Sequence, residues 1–390
     1  MKKSSLKRIL KYTGRGALVV LTLLLAVIIA LYTVMFILVK GPSETTRTLF
    51  VRSVMETSAG KFLAYIYLSE EEIAEITSGS GDDDITYDKV DVSLIQIPTS
   101  DVTTTDGNPS VDDSSSTNES PSADTSAESD FGGSGDSAGS DTTDDTSGGE
   151  ESEYPEGNPE GIEIIDIVGS TYYGKMIIIS DPSRVTVATL DTYGVAYSGK
   201  TLSEFVKSYG ALGGINAGGF DDPNGGGSGA VPDGIVIKNG EIVWGNTSTY
   251  YKCVVGFDSN GILHVGNMTG AEALSDGIVN GLSFANGPLL IVNGKAQNTS
   301  RSLGGGLNPR TAIGQRSDGA VLMLVINGRQ ADSLGATYDD LILEMQKYGA
   351  VNAANLDGGS SSLMMYDGEY ITTSAYLFGE RDLPNAFIFY

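Results

Sequence analysis

Residues 16–39 read GALVVLTLLLAVIIALYTVMFILV, 24 positions without a charge. About 20 apolar residues cross the hydrocarbon core as a helix, so the pattern predicts a transmembrane helix over 16–39. The rival, a cleaved signal peptide, has an apolar core of only about 7–15 residues and ends in a small-x-small site, which this stretch lacks. Residues 41–77 then place Phe50, Val54, Phe62, Leu63, Tyr65 and Ile66 at partial three-to-four spacing, with Ser69 set to cap a glutamate-rich turn. This predicts a juxtamembrane helical stalk, compatible with packing on itself or with a sensing or dimerising role. From 78 to 160 large apolar side chains almost vanish among Asp, Glu, Ser, Thr and Gly. Such a stretch cannot bury enough surface to offset its ordering entropy, and reads as a disordered acidic tether. Sixty residues of it span roughly 40–50 Å as a coil.

Strand patterns return at residue 161. IEIIDIVG, YYGKMIIIS, SRVTVATL and GIVIKNGEIVWG are β-branched runs between turn residues, and KNGE and VNGK are Asn-Gly hairpin signals. Two helices stand out, each opened by a capping box: Thr201 with Glu204, and Thr337 with Asp340. Each ends at a Tyr-Gly pair and leads through a short apolar strand into a Gly-rich loop, INAGGF after the first and VNAANLDGG after the second. The expectation is one mixed α/β (α+β) domain over 161–390 with a central mixed sheet.

Charge refines this division. The chain holds 24 basic and 50 acidic residues, yet residues 101–160 contain 17 of the acids and no base, while 161–390 contain 22 acids and 13 bases. A mildly acidic body has no electrostatic footprint for a phosphate backbone, which excludes nucleic acid as a partner. Six bases precede the apolar span (Lys2, Lys3, Lys7, Arg8, Lys11, Arg15) and Lys40, Arg47 and Arg52 follow it. The positive-inside rule therefore makes 1–15 a cytoplasmic tail and puts everything beyond Lys40 outside. One cysteine, Cys253, allows no internal disulfide, which suits a bacterial surface. One histidine, His264, excludes a two-His zinc site. His264 lies in an alternating strand pattern and Cys253 in an apolar run, so both read as structural.

Candidate chemistry collects where apolar strands meet glycine turns, the usual place for ligands on such scaffolds. Asn216 precedes Gly218, Gly219 and Asp221; Asn355 and Asp357 precede Gly358, Gly359, Ser360 and Ser361; Arg310 follows a proline at the start of a strand; Asn286 sits at a Gly-Pro turn. Each has a plainer reading: Asp357 and Asp221 as turn caps, Arg310 as a surface ion pair, the asparagines as strand ends. Nothing in the sequence requires a cofactor. Calcium is an option at Asp221, Asp222 and Asp233 around the Gly-rich loop, although their spacing is not that of an EF-hand.

INAGGF, the stretch to VPDGIVIKNG, NGPLLIVNG, NPRTAIG and NLDGGSSSLM, in this order and at these separations, resemble the phosphodiester glycosidase family over roughly residues 162–390. Bacterial relatives in that family are of the exopolysaccharide-biosynthesis type. The family pattern has a third glycine where Ser360 stands. The resemblance implies a glycosidase cleaving sugar-1-phosphodiesters of the GlcNAc-1-phosphodiester kind, here in cell-surface glycans. The leaving phosphodiester is a stable anion, so a histidine-poor site suffices if it has a carboxylate at the oxocarbenium-like centre, a second carboxylate and a cation for phosphate. Asp357 and Asp221 fit the first two needs and Arg310 the third, since its fork matches two phosphate oxygens. The asparagines would hold sugar hydroxyls and the amides of 358–361 a phosphate. A glycan transferase with the same site, or a wall-glycan binding module, are the alternatives.

Overall fold

The computed structural model describes residues 2–57, 60–78, 89–97, 161–285, 287–297, 305–376 and 379–390. Most of the expected tether, and Asn286, lie outside these residues. Numbering elements in chain order, α1 runs over Lys2–Lys40, α2 over Glu44–Met55, α3 over Phe62–Tyr65 and α4 over Glu70–Ser78. Within α1, Arg15–Lys40 is long and apolar enough to cross a membrane, with an 18-residue stretch of mean hydropathy 2.9 that is not buried against protein. The Ser43 hydroxyl accepts from the Thr46 amide to start α2, and Ser69 and Glu72 satisfy each other's amides to start α4. Val39, Val51, Ala64, Leu68 and Ile73 close a small core among the four helices.

The body is three sheets and three helices. The first sheet runs, in spatial order, Ile162–Val168 (β1), Tyr173–Ile179 (β2), Val321–Ile326 (β13), Arg310–Arg316 (β12), Ala350–Asn355 (β14), Leu289–Val292 (β10) and Lys295–Ala296 (β11). The second is Glu369–Tyr370 (β16), Met364–Tyr366 (β15), Gly213–Asn216 (β4), Asn385–Phe389 (β17) and Val185–Thr189 (β3). The third is Glu241–Trp244 (β6), Val236–Lys238 (β5), Ile278–Ser283 (β9), Tyr250–Asp258 (β7) and Leu263–Thr269 (β8). The α+β class holds, but the single mixed sheet does not: every described strand pair is antiparallel. Tight turns join many neighbours, and two-residue turns can only join antiparallel strands. Asn239 and Gly240, with φ of 51° and 78°, and Asn293 and Gly294, with 52° and 74°, make the two hairpins that the Asn-Gly pairs predict.

One large core fills the space between the first sheet and the other two, joining Ile177, Ile313 and Met323 to Val187, Ile215, Phe387, Val255 and Phe257. Outside it, Tyr338–Lys347 (α7) packs Leu341, Ile342 and Met345 on the first sheet, and Leu202–Tyr209 (α5) packs Phe205 and Val206 on the second. Both capping boxes form as the sequence predicts. Gly270–Ser275 (α6) covers the third sheet through Ala273.

Two segments outside the expected domain lie on it. Residues 89–97, assigned to the tether from composition, follow the body surface: the Asp91 amide donates to Asn293 Oδ1 (2.7 Å), Lys89 pairs with Asp276 (2.7 Å) and the Gln96 amide donates to Ser317 O (2.7 Å). Ile95 is buried and Ile97 packs beside Gly319, so apolar residues hidden in a polar stretch fix this strap. The end of α2 reaches the Gly306–Arg310 loop, where the Leu307 amide donates to Ser53 Oγ (2.8 Å).

Candidate functional site

β4 and β14, the strands following α5 and α7, end side by side with an asparagine each, and β12 begins between them. The buried Asn216 Nδ2 donates to Asp357 O (2.7 Å), and its Oδ1 accepts from Thr311 Oγ1 (2.8 Å) and the Leu363 amide (3.1 Å). The Asp357 amide donates to Ala217 O (2.8 Å). These bonds stitch the first and second sheets together directly under Asp357 and hold its loop rigidly. Asn216 therefore organises the loop through both ends of its amide.

Asp357 is half-buried. Burial pushes its carboxyl up to about 7, assisted by the neighbouring charge of Asp233; hydrogen bonding from Ser361 and the Gly358 amide and the Arg381 charge oppose the rise. Burial likewise raises Asp233 to about 6 against backbone hydrogen bonds from Ala285 and its own amide. Asp233, and not Asp221, is the carboxylate whose charge acts on Asp357. Asp221 is exposed, and its side chain makes no hydrogen bond or ion pair among the described residues. Gly219 lets Asp233 in: a Cβ there would meet Asp233 Oδ2 at 2.5 Å and the Phe284 ring at 2.8 Å. Gly218 donates its amide to Asn385 Oδ1 (2.6 Å).

Three guanidinium groups surround this loop. Arg381, 6% exposed, donates to Asp222 Oδ1 (2.7 Å) and Ser360 Oγ (3.3 Å) and stacks over Phe220 and Tyr376 at 5.1 and 5.2 Å. Ser360 thus supplies a hydroxyl to Arg381 in place of the family's third glycine. Arg329 is exposed, takes the left-handed conformation at φ 58°, lies against Gly359 and donates twice to Asn308 Oδ1 (3.2 and 2.9 Å). A non-glycine residue held there is the kind of backbone strain that collects at functional sites. Arg310 is buried: Nε donates to Ala336 O (3.1 Å), Nη2 to Gly306 O and to Glu56 Oε2 (both 2.7 Å), and the group stacks on Tyr338 at 4.1 Å. Burial pulls its pKa down, but Tyr338 and Glu56 hold it above the ordinary value. Glu56 also accepts from Asn308 Nδ2 (2.8 Å) and the Gly306 amide (3.0 Å), so a carboxylate of the helix following the apolar span fills the anion cradle expected for phosphate.

The amides of 358–361 do not form a free nest. Gly359–Ser361 is a turn of 3-10 helix; the Gly359 amide donates to Pro309 O (2.8 Å) and the Ser361 amide to Gly358 O (3.2 Å). Asn355 donates to Leu356 O (2.8 Å), while its buried Oδ1, and Nδ2 of Asn385, have no partner among the described residues, as groups reserved for a ligand would. Asp222, offered for calcium, is taken by Arg381 and the Gly227 amide (2.7 Å), and no cluster of three or more His, Cys, Asp or Glu among the described residues could hold a metal. His264 is a sheet residue 3.3 Å from Asp258. Cys253 is buried at φ 46°, its thiol donating to Asn355 O (3.3 Å) beneath the site.

Asp357 and Asp233, with Arg310, Arg329 and Arg381 around the loop, bring carboxylates and guanidinium groups together on layered antiparallel sheets. Residues 209–390 match the family model described as phosphodiester glycosidase. The five motifs that carry the resemblance all fall within the matched residues. The chain is 39% identical over 92 residues, 23% of its own length, to the SPbeta prophage-derived uncharacterized protein YomE of Bacillus subtilis (strain 168), and spans 14% of that protein. Among solved structures, the catalytic domain of zebrafish N-acetylglucosamine-1-phosphodiester alpha-N-acetylglucosaminidase, auto-inhibited by its pro-peptide, superposes with TM-score 0.46 at 20% identity, covering 59% of this chain and 82% of that one. A hypothetical protein from Synechocystis superposes with TM-score 0.40 at 18% identity, covering 58% and 61%.

Proposed function

We propose that the chain is an anchored glycosidase that hydrolyses sugar-1-phosphodiesters outside the cell, with residues 1–15 in the cytoplasm, 16–39 in the membrane and 161–390 as the catalytic domain. The observation that carries this reading is the pair Asp233 and Asp357, pushed up to about 6 and about 7 beside Arg329 and Arg381. Between these values Asp357 is mostly protonated and Asp233 mostly ionised, which supplies an acid and a base from a histidine-poor site. Asp357, the higher of the two, serves as acid or as the charge partner of the sugar, and Asp233, ionised first, as base or nucleophile. Arg329, the exposed guanidinium, receives the phosphate; the orphaned amide groups of Asn355 and Asn385 receive sugar hydroxyls.

A second reading, a glycan-binding module, is favoured by one observation: Arg310 and Arg381 already pair with Glu56 and Asp222 at 2.7 Å. The full chain, incubated with methyl-phospho-GlcNAc and with UDP-GlcNAc, decides between them. Hydrolysis gives free sugar, with a narrow rate maximum between about pH 6 and 7. A new glycoside with an added acceptor marks a transferase, and binding without release marks the module. Arg329→Lys keeps the charge but loses the fork, and is expected to lower kcat/KM roughly a hundredfold.

A further inference from the structure

Beyond the span, the chain presents a second apolar surface that no protein covers. In α3 and the residue after it, Phe62, Tyr65 and Ile66 are 61%, 49% and 51% exposed. This turn lies beside α1. The neighbouring Tyr67 lies on the last turns of α1, its ring 5.2 Å from Tyr32 and 6.4 Å from Phe36, and its hydroxyl donates to Tyr32 O (3.1 Å). The exposed Phe62, Tyr65 and Ile66 therefore lie close to the exposed apolar side chains of α1, at the end where Lys40 of α1 and Arg47 of α2 meet Glu72. An aromatic and aliphatic cluster flanked by charge, beside the end of an apolar span, has the composition that settles at the headgroup level of a bilayer.

The same short stretch is tied to the site. Glu56, six residues before Phe62, is held by Arg310, Asn308 and the Gly306 amide, and a Cβ on Gly358, next to Asp357, would lie 3.9 Å from Arg310 Cα. Six residues reach at most about 20 Å fully extended. A catalytic loop fixed that near to the headgroup plane is poorly placed for polymer far out in a wall, and well placed for a headgroup.

We propose that the Phe62–Ile66 surface lies in the outer leaflet and that the substrate is a sugar-1-phosphodiester whose second ester is to a membrane lipid, of the polyprenyl-phosphate class. This rests on the glycosidase reading and names its substrate class. In the reaction the bond from the anomeric carbon to the bridging phosphate oxygen breaks and the oxygen of water bonds that carbon. One water proton passes to a site carboxylate and then to solvent. Free sugar leaves, and the lipid phosphate monoester stays in the bilayer.

The test uses the full chain in liposomes of phosphatidylethanolamine and phosphatidylglycerol, with polyprenyl-phospho-GlcNAc in the bilayer or methyl-phospho-GlcNAc in solution. Wild type is expected to show at least a tenfold higher kcat/KM for the polyprenyl ester. The double variant Phe62→Ser, Ile66→Ser should lose that preference and keep its rate on the methyl ester. Equal use of both esters by wild type, or a preference that survives the double variant, overturns the proposal. If wild type frees sugar from neither ester, the glycosidase reading itself fails. Independently of activity, a fluorophore on Phe62→Cys should be quenched by spin-labelled lipid as strongly as one on Phe36→Cys; an unquenched label overturns the leaflet placement.

Discussion

Asp357→Asn is expected to lower turnover roughly a thousandfold or more while making the protein more stable in mild alkali. The sign follows from burial. The folded carboxyl titrates at about 7, against about 4 unfolded, so between those values the folded chain binds more protons than the unfolded one. The stability contributed by the raised carboxyl is fully present below about pH 4 and lost as pH rises through 7. At pH 8 the wild type carries a buried charge costing on the order of 2 kcal/mol, after allowance for partial exposure, and the asparagine variant does not. For a body of this size that is a gain of roughly 4–8 °C in Tm at pH 8, with no gain at pH 4. A mere turn cap predicts the opposite: Tm falls at both values and turnover per folded molecule survives. Steady-state sugar release and thermal melts at the two pH values read out both quantities on one variant.

Arg381→Met should have the largest effect on stability. Its guanidinium is nearly buried between Phe220 and Tyr376, bonded to Asp222 and Ser360. Methionine restores part of the packing but takes the guanidinium away from Asp222, one-fifth exposed, whose paired oxygen keeps the Gly227 amide. Removing one partner of such a pair costs about 3 kcal/mol, a fall of roughly 6–12 °C in Tm for this length. Arg381 also holds the Asp357 pKa down, so its loss should displace the alkaline limb of the rate profile to higher pH. Arg381→Lys should recover that limb better than it recovers Tm, because the charge returns without the planar stack.

The parts of the site legible in the sequence are those built from neighbours along the chain. Asp357 follows a strand and precedes two glycines, and Arg310 opens a strand after proline; both lie in the loops the patterns mark. The Asn-Gly hairpins and capping boxes were legible for the same reason, since each is written within four residues. What was not legible comes from chain-distant loops brought in by strand register. Asp233, in VPDG, looks like turn chemistry, and only Gly219, opposite in the fold, shows that a carboxylate was being admitted. Arg329 follows Asn-Gly beyond a strand, where a hairpin turn is the plain expectation, yet it sits at positive φ facing Gly359. Arg381 and Asn385 flank the last strand, where no local motif marks them. Nothing in a stalk helix announces that Glu56 will meet Arg310 more than 250 residues later.

The strap of residues 89–97 changes what the acidic insert can be used for. Ile97 and Pro182 both flank Gly261, and the Ser180 amide donates to Gly161 O at 2.8 Å, so residues 97 and 161 lie in one neighbourhood of the body. The insert's covalent continuity is then unnecessary for keeping the two sides together. Co-expressed as separate polypeptides, residues 1–97 and 161–390 should assemble, co-purify and retain turnover, a natural split protein whose junction tolerates a reporter domain. Co-purification that fails with Glu56→Ala and Gln96→Pro, but succeeds with both wild-type pieces, would locate the complementation at the two docking points described above.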